Sequence, residues 1–248
     1  MTVPPHRLIA IASGKGGVGK TWFAITLAHA LARAGRRVLL FDGDLGLANV
    51  DIQLGLGQVR DLSAVLVGQA NLAECILTHA QGGFDILPGQ SGSGLLASLD
   101  PATLDACLAS LRATAAGYDA VLLDLGAGLE SGVRRMASFA DLLLVLATEE
   151  PTSLTDAYAV LKLHHADRPG ARASVVVNQA GTQAGGERTY ATLLRACQAF
   201  LATAPPLAGV VRRDDRVREA IRRQTLLLTR HPTSTAASDV EAIARTLL

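Results

Sequence analysis

Short apolar runs alternate along the chain with longer stretches rich in alanine, leucine and arginine. Runs that are apolar on both faces are typical of parallel strands with helices on both sides of the sheet. The runs that predict strands are residues 8–12, 38–41, 84–87, 120–124, 142–147, 173–178 and 207–211. The stretches between them predict helices, among others over residues 20–33, 101–116, 152–166 and 187–202. The pattern predicts an α/β fold, a doubly wound, mostly parallel sheet flanked by helices.

Composition adds limits to this fold. The chain has 248 residues, 49% of them hydrophobic, which is enough to bury the core of one large α/β domain, so we predict a single domain over residues 1–248. A formal net charge of +1 favours neither a nucleic-acid-seeking nor an acidic protein. The cysteines Cys75, Cys107 and Cys197 are far apart and lack C-x-x-C spacing, which indicates buried thiols. Without a signal-like or membrane-spanning run, a cytoplasmic protein is expected.

A glycine-rich loop separates the first predicted strand from the first predicted helix. Its spacing from Gly14 to Thr21 is G-x-x-x-x-G-K-T, in which glycines allow consecutive backbone N–H groups to surround phosphates. Lys20 is placed to neutralise the β- and γ-phosphates, and the Thr21 hydroxyl to ligate Mg²⁺. The helix that follows directs the positive end of its dipole at the same anion. The loop therefore predicts a site for a magnesium nucleotide.

Carboxylates follow two of the predicted strands at the edge of the sheet where ligands bind in such folds. Asp42 and Asp44 end the second run, and Asp124 ends the fourth. Asp124 is predicted to hold Mg²⁺ mainly through its water shell, with Asp42 near the metal. Asp44 is the better candidate for orienting the attacking water. A helix cap or turn is the alternative use of a lone aspartate at a strand end.

The loop resembles the deviant Walker A sequence of the MinD/ParA ATPases, because a second lysine, Lys15, directly follows its first glycine. In that family this lysine reaches across a dimer to the ATP of the partner, and the fold is a P-loop NTPase of the SIMIBI type. The resemblance thus implies ATP and Mg²⁺ as cofactors and a homodimer that forms with ATP. Related ATPases that bridge an iron–sulfur cluster carry cysteines in loops near the nucleotide, so no cluster is expected here.

Three further stretches resemble the FlhG (FleN) branch of this family, which controls flagellar number and placement. They are residues 42–56, residues 150–159 and the late segments 215–224 and 231–237. The resemblance implies a flagellar or polar regulatory partner, with the protein cytoplasmic or peripheral at the inner membrane face or the cell pole. The resemblance also implies that Asn178 and the loop that contains Arg212 and Asp214 contact the adenine.

Together these arguments give three sets of candidate residues. The candidate catalytic residues are Lys15, Lys20 and Asp44. The candidate nucleotide-binding residues are Gly14, Lys15, Gly16, Gly17, Val18, Gly19, Lys20, Thr21, Trp22, Asn178, Arg212 and Asp214. The candidate metal-binding residues are Thr21, Asp42 and Asp124.

Three departures from the family pattern bear on catalysis. Trp22 stands where the family usually has a small residue that helps bind the α-phosphate, and Leu125 where a hydroxyl residue usually follows the Walker B aspartate. Arg212 stands at the place of a proline in the adenine-contacting loop. We therefore expect nucleotide binding with slow, partner-stimulated hydrolysis. A pseudo-enzyme that binds nucleotide without turnover remains an alternative.

Two surface features leave other functions open. The basic stretch 212–223 favours a ParA-like ATPase that binds DNA nonspecifically, although Asp214, Asp215 and Glu219 dilute its charge. The last residues, 238–248, carry an apolar stripe with two acids and one arginine, which fits core packing better than a membrane surface. At most weak membrane contact is expected. Residues 89–94 predict a flexible surface loop.

Overall fold

The computed structural model describes residues 8–44, 48–57, 59–89 and 100–247. Its strands form one sheet in the order β3-β4-β2-β5-β1-β6-β7-β8, in which only β3 pairs antiparallel with its neighbour. The strands are β1 (Leu8–Ser13), β2 (Val38–Gly43), β3 (Leu77–His79), β4 (Phe84–Leu87), β5 (Ala120–Ala127), β6 (Leu142–Ala147), β7 (Arg172–Ala180) and β8 (Leu207–Arg212). The parallel strands end at one edge of the sheet, where β1 leads into the glycine-rich loop.

Helices cover both faces of this sheet. They are α1 (Lys20–Arg33), α2 (Val50–Leu54), α3 (Leu62–Leu66), α4 (Leu72–Cys75), α5 (Pro101–Thr114), α6 (Ser131–Phe139), α7 (Pro151–Asp167), α8 (Gln183–Leu201), α9 (Asp215–Arg222), α10 (Leu227–Arg230) and α11 (Thr235–Leu247). Most of their N-termini follow ordinary capping rules: Asp100 caps α5 ahead of Pro101, and Thr182 caps α8. Among the described residues, none of the helices is long and apolar enough to cross a bilayer.

The alternation of side chains along each strand divides the interior into two hydrophobic cores. Along β1, Ile9 and Ile11 pack into the core under α1, α10 and α11, while Leu8, Ala10 and Ala12 pack into the core under α5 to α8. A parallel sheet buried on both faces requires this arrangement. It explains why the strands appear in the sequence as unbroken apolar runs.

The predicted α/β fold and all seven predicted strands are confirmed. The missed strand, β3, has three residues and includes Thr78 and His79, so it lacks the apolar run that marks the others. Helix α8 begins four residues before its predicted start, because Gly185 and Gly186 obscure its first turn in the sequence. Gly185 approaches closely: a Cβ there would lie 2.5 Å from an Oε1 atom of Glu149.

Two further expectations concern the surface and the thiols. The stripe near the end of the chain packs in the core, with Val240, Ile243 and Ala244 buried, as the sequence indicates. The three cysteines are buried as predicted. Most of the predicted flexible loop, residues 90–94, lies outside the described residues, as do residues 45–47 of the stretch after β2.

Candidate functional site

The glycine-rich loop forms a concave turn between β1 and α1. Gly17 and Gly19 have φ angles of 78° and 89°, in the left-handed region that glycine adopts without strain. Backbone that alternates in this way turns successive N–H groups toward one side. Gly19 is the N-cap residue of helix α1, which has no side-chain cap and no acid in its first turn, so its N-terminal N–H groups are left for a ligand. The loop has the form of an anion cradle.

Gly14 lets the loop pack directly on α7, which gives a first prediction. A Cβ at Gly14 would lie 2.6 Å from both the Cβ and the backbone oxygen of Asp156. We expect Gly14→Ala to reduce the free energy of unfolding by about 1–3 kcal/mol, because backbone on both sides must shift. Gly16→Ala is the control, since no atom lies within 4 Å of a Cβ there. Thermal unfolding of both variants checks this, and an equal midpoint for both would contradict the close packing.

Lys20 is buried beneath the loop. Its Nζ donates to Ser13 Oγ at 3.0 Å, and Ser13 Oγ donates to the backbone oxygen of Lys15 at 2.7 Å. Burial lowers the pKa of Lys20, while the charges of Asp124 and Asp44 act in the opposite direction. The ammonium group thus lies at the base of the cradle among carboxylates, where a polyphosphate would complete its set of partners.

Asp124 lies at the carboxyl end of β5, fully buried and close to Lys20. Among the described residues, no donor forms a hydrogen bond with either of its carboxylate oxygens. Burial and the neighbouring Asp42 raise its pKa to about 8, while the Thr21 hydroxyl and the Lys20 charge oppose this shift. An orphaned buried carboxylate beside a phosphate cradle fits a hydrated divalent cation, which would supply the missing partner. The residues present therefore fit magnesium.

Asp42 occupies the matching position on β2, in register with Asp124. Its carboxylate accepts hydrogen bonds from the backbone N–H groups of Asp44, Asn49 and Val50 at 3.1–3.2 Å. Burial raises its pKa to about 7 despite these bonds. Asp42 thus binds the backbone just after β2 and at the start of α2, and its predicted position beside the metal remains a prediction.

Asp44 lies at the rim of the same edge and is half-buried. One of its carboxylate oxygens is 3.2 Å from the position that a Cβ at Gly126 would take. The side chain is therefore brought against the end of β5, next to the metal candidate. This position suits a residue that orients water at the phosphates, and that role remains a prediction.

Lys15 extends away from the cradle and is held by its own chain. Its Nζ forms an ion pair with Glu150 and donates to Thr152 Oγ1 at 3.1 Å. Both residues are at the start of α7, and the hydrogen bond and charge of Lys15 lower the pKa of Glu150. The Lys15 side chain keeps 37% of its surface exposed. It is thus at the surface of the protein, beside the phosphate site and not inside it.

The predicted adenine contacts are placed unevenly. Asn178 is buried at the end of β7 against the phosphate loop. The guanidinium of Arg212 instead forms a bidentate ion pair with Asp239, and Asp214 caps α9 and accepts from Thr235 Oγ1. Trp22 is in the core under α1, and its Nε1 has no hydrogen-bond partner among the described residues. The side chains of Arg212 and Asp214 are therefore already bound to partners within the protein.

Sequence reasoning missed three residues that position the two lysines. Ser13 connects Lys20 with the loop backbone, while Glu150 and Thr152 hold Lys15. Ser13 carries a detectable signal, since it is a hydroxyl residue at the end of an otherwise apolar strand. Glu150 and Thr152 lie about 135 residues from Lys15 and give no local signal of contact.

A glycine-rich cradle with a buried lysine and an adjoining aspartate on the next strand defines a P-loop nucleoside triphosphate-binding protein. More narrowly, the chain belongs to the family of the CobQ/CobB/MinD/ParA nucleotide binding domain, whose model matches residues 9–227. Members of the MinD/ParA group are ATPases, and the expectation drawn from the deviant loop is confirmed at this level.

Among relatives, the chain is 36% identical to the antiactivator FleN of Pseudomonas aeruginosa, over 97% of this chain and 86% of FleN. It is 27% identical to the flagellum site-determining protein YlxH of Helicobacter pylori, over 98% of this chain and 82% of YlxH. Among solved structures, it is similar to the septum site-determining protein MinD of Pyrococcus horikoshii complexed with Mg-ADP. That match has a TM-score of 0.81 and 27% identity, and it covers 97% of this chain and 95% of the other.

Proposed function

We propose that this protein is an ATP-dependent dimerising switch ATPase that controls the number or placement of flagella. The cellular role is supported by the matches over nearly the whole chain to YlxH, named as a flagellum site-determining protein, and to the antiactivator FleN. The observation that carries the switch is the position of Lys15: it lies outside the cradle, at the surface, on Glu150 and Thr152. A lysine that only bound the chain's own phosphates would face the loop interior, as Lys20 does.

Dimerisation requires Lys15 to leave Glu150 and reach the nucleotide of a second protomer. This exchange has a low energetic cost, because an exposed ion pair contributes little to stability. ATP shifts the monomer–dimer equilibrium only by its greater affinity for the dimer, and a contact from the partner's lysine to the triphosphate supplies that difference. Bound magnesium would neutralise charge on the phosphates, held through Thr21 and Asp124.

Hydrolysis ends the dimeric state, with Asp44 orienting the attacking water. Turnover is slow in this proposal, because Leu125 removes a hydroxyl beside Asp124 and the bulky Trp22 replaces a small phosphate-binding residue. A partner protein would accelerate it. The partner is a flagellar or polar regulatory protein, and the switch acts in the cytoplasm, peripherally at the membrane or the pole.

Flagellar counts in the host test the cellular role. We expect deletion of the gene to change the number or position of flagella per cell, as seen by electron microscopy. Wild type restores the normal count, and Lys15→Ala does not, although it accumulates to the same level. Unchanged flagella in the deletion strain would refute the flagellar role and leave the nucleotide switch standing.

A DNA-binding positioning ATPase is the second candidate, because the surface of α9 favours it. The exposed arginines on and beside this helix are Arg213, Arg216, Arg218, Arg222 and Arg223. Glu219 neutralises part of this charge through Arg223 and Arg230. An ATP-dependent mobility shift of nonspecific duplex DNA that weakens steeply with salt would support this candidate over the flagellar one.

A further inference from the structure

Two neighbouring side-chain amides at the end of β7 hold the phosphate loop from outside. Asn178 Nδ2 donates to the backbone oxygen of Val18 at 2.7 Å, and Gln179 Nε2 donates to the backbone oxygen of Gly17 at 3.3 Å. The carbonyls of two consecutive loop residues are therefore bound on one side. The peptide N–H groups of such a loop are free to face the opposite, concave side.

The backbone conformation of Gln179 also indicates a functional role for this residue. Its φ angle is 56°, a left-handed conformation that is costly for a residue with a side chain and that concentrates at functional sites. The register between β7 and β8 shifts between Val177 and Ala180, which gives the bulge that contains it. In regular strand geometry, successive side chains would point to opposite faces, so both amides could not reach the loop.

Gly19 fits against these amides. A Cβ at Gly19 would lie 2.7 Å from Asn178 Nδ2 and 3.7 Å from Gln179 Nε2. Position 19 therefore requires glycine for two reasons. Its φ is positive, at 89°, and the amide of Asn178 occupies the space that a side chain would take. Loop and strand end are built as one unit.

We propose that Asn178 and Gln179 form an amide clamp that pre-organises the phosphate loop, and that Gln179 is a positioning residue for nucleotide phosphates. The inference rests on the proposed nucleotide binding at this loop. It predicts that the clamp acts on every ligand with a polyphosphate, whatever its base. A residue that reads adenine would instead affect only ligands that carry the base.

Gln179→Met tests the clamp, since methionine is neutral, similar in length and unable to donate. Gln224→Met is the matched control: Gln224 also has a left-handed φ, 50°, and its Nε2 also donates to a backbone oxygen, that of Ile52 at 2.8 Å. Both variants lose one such bond and keep the same backbone strain. Calorimetric titration with Mg-ATP and with magnesium tripolyphosphate gives the affinities, and hydrogen exchange of residues 15–21 gives the order of the free loop.

For Gln179→Met we expect about a five- to ten-fold weaker affinity for both ligands, the size of one lost hydrogen bond. Hydrogen exchange in the loop should be faster, and Gln224→Met should match wild type in both measurements. Asn178→Ser should act in the same direction, with equal losses for the two ligands. Loss of ATP affinity alone in either clamp variant would assign that residue to the base and overturn the clamp.

The clamp fails separately from the proposed function. Wild type that binds neither ligand would refute nucleotide binding, while the exchange comparison would still report on the loop. Wild-type affinity together with unchanged exchange in Gln179→Met would refute the clamp and leave the ATPase proposal intact.

Discussion

Asp124→Asn is expected to stabilise the nucleotide-free protein and to remove its response to magnesium. The native carboxylate is fully buried, and among the described residues no donor forms a hydrogen bond with either oxygen. A neutral amide of the same shape removes the cost of burying that charge or, below pH 8, of protonating the carboxyl when the chain folds. An increase of about 1–3 kcal/mol in the free energy of unfolding, or about 2–10 °C in the melting temperature, follows. Differential scanning fluorimetry with and without Mg-ATP measures both effects.

The pH dependence of the stability tests the burial of Asp124 as well, and its direction follows from the shifted pKa. The folded protein binds the Asp124 proton more tightly than the unfolded chain, since its pKa is raised from 3.8 to about 8. Stability from this group is therefore present at acidic pH and is lost as the pH rises toward 8. Asp124→Asn should flatten that decline. A steeper decline in the variant would contradict the burial of an uncompensated carboxylate.

Asp42→Asn is the matched comparison and should have the opposite effect. Asp42 is equally buried, but its carboxylate accepts from three backbone N–H groups. An amide places a donor against at least one of them, so we expect a loss of about 1–3 kcal/mol. The same substitution at paired positions on adjacent strands should thus change the free energy of unfolding in opposite directions. A general effect of charge removal cannot produce this difference.

Lys20→Met is expected to abolish measurable nucleotide binding. The lysine is 8% exposed, and the loop around it leaves its charge directed at the cradle. Charge-assisted bonds to two phosphates contribute about 1.5–3 kcal/mol each, so the affinity for Mg-ATP should fall by about 100-fold or more. The nucleotide-free fold should change little, because methionine fills a similar volume and Asp124 can retain its proton at neutral pH.

Lys162→Met is the control for this variant, since Lys162 is an exposed lysine on α7. Calorimetric titration with Mg-ATP should give wild-type affinity for this control. Near-native affinity in Lys20→Met would contradict the assignment of Lys20 to the phosphates.

The fold was predictable because the sheet is buried on both faces, so that seven strands appear as apolar runs. Strand β3 escaped because an edge strand of three residues that is only half-buried needs no such run. The glycine spacing with Lys20 located the cradle, and aspartates at strand ends located the metal candidate. These features are local in sequence, and the physics that makes them necessary acts within a few residues.

Contacts between distant segments were not predictable in this way. The ion pair of Lys15 with Glu150 and the pairing of Arg212 with Asp239 depend on how strands and helices pack. Gln179 is a further case, because its position follows from a left-handed backbone in a strand that the sequence does not announce. The adenine contact of Asn178, which follows from the family resemblance, stays a prediction, and the bond from its amide to the loop was not visible in the sequence.

Light scattering during size exclusion is the most direct test of the nucleotide switch. We expect wild type to be a monomer with Mg-ADP and a dimer with Mg-ATP, and Asp44→Ala to hold the ATP dimer most strongly because it cannot complete hydrolysis. Lys15→Ala should remain a folded monomer with either nucleotide. An ATP-induced dimer of Lys15→Ala would contradict the role of Lys15 across the interface, and a wild-type monomer in every condition would contradict the switch itself.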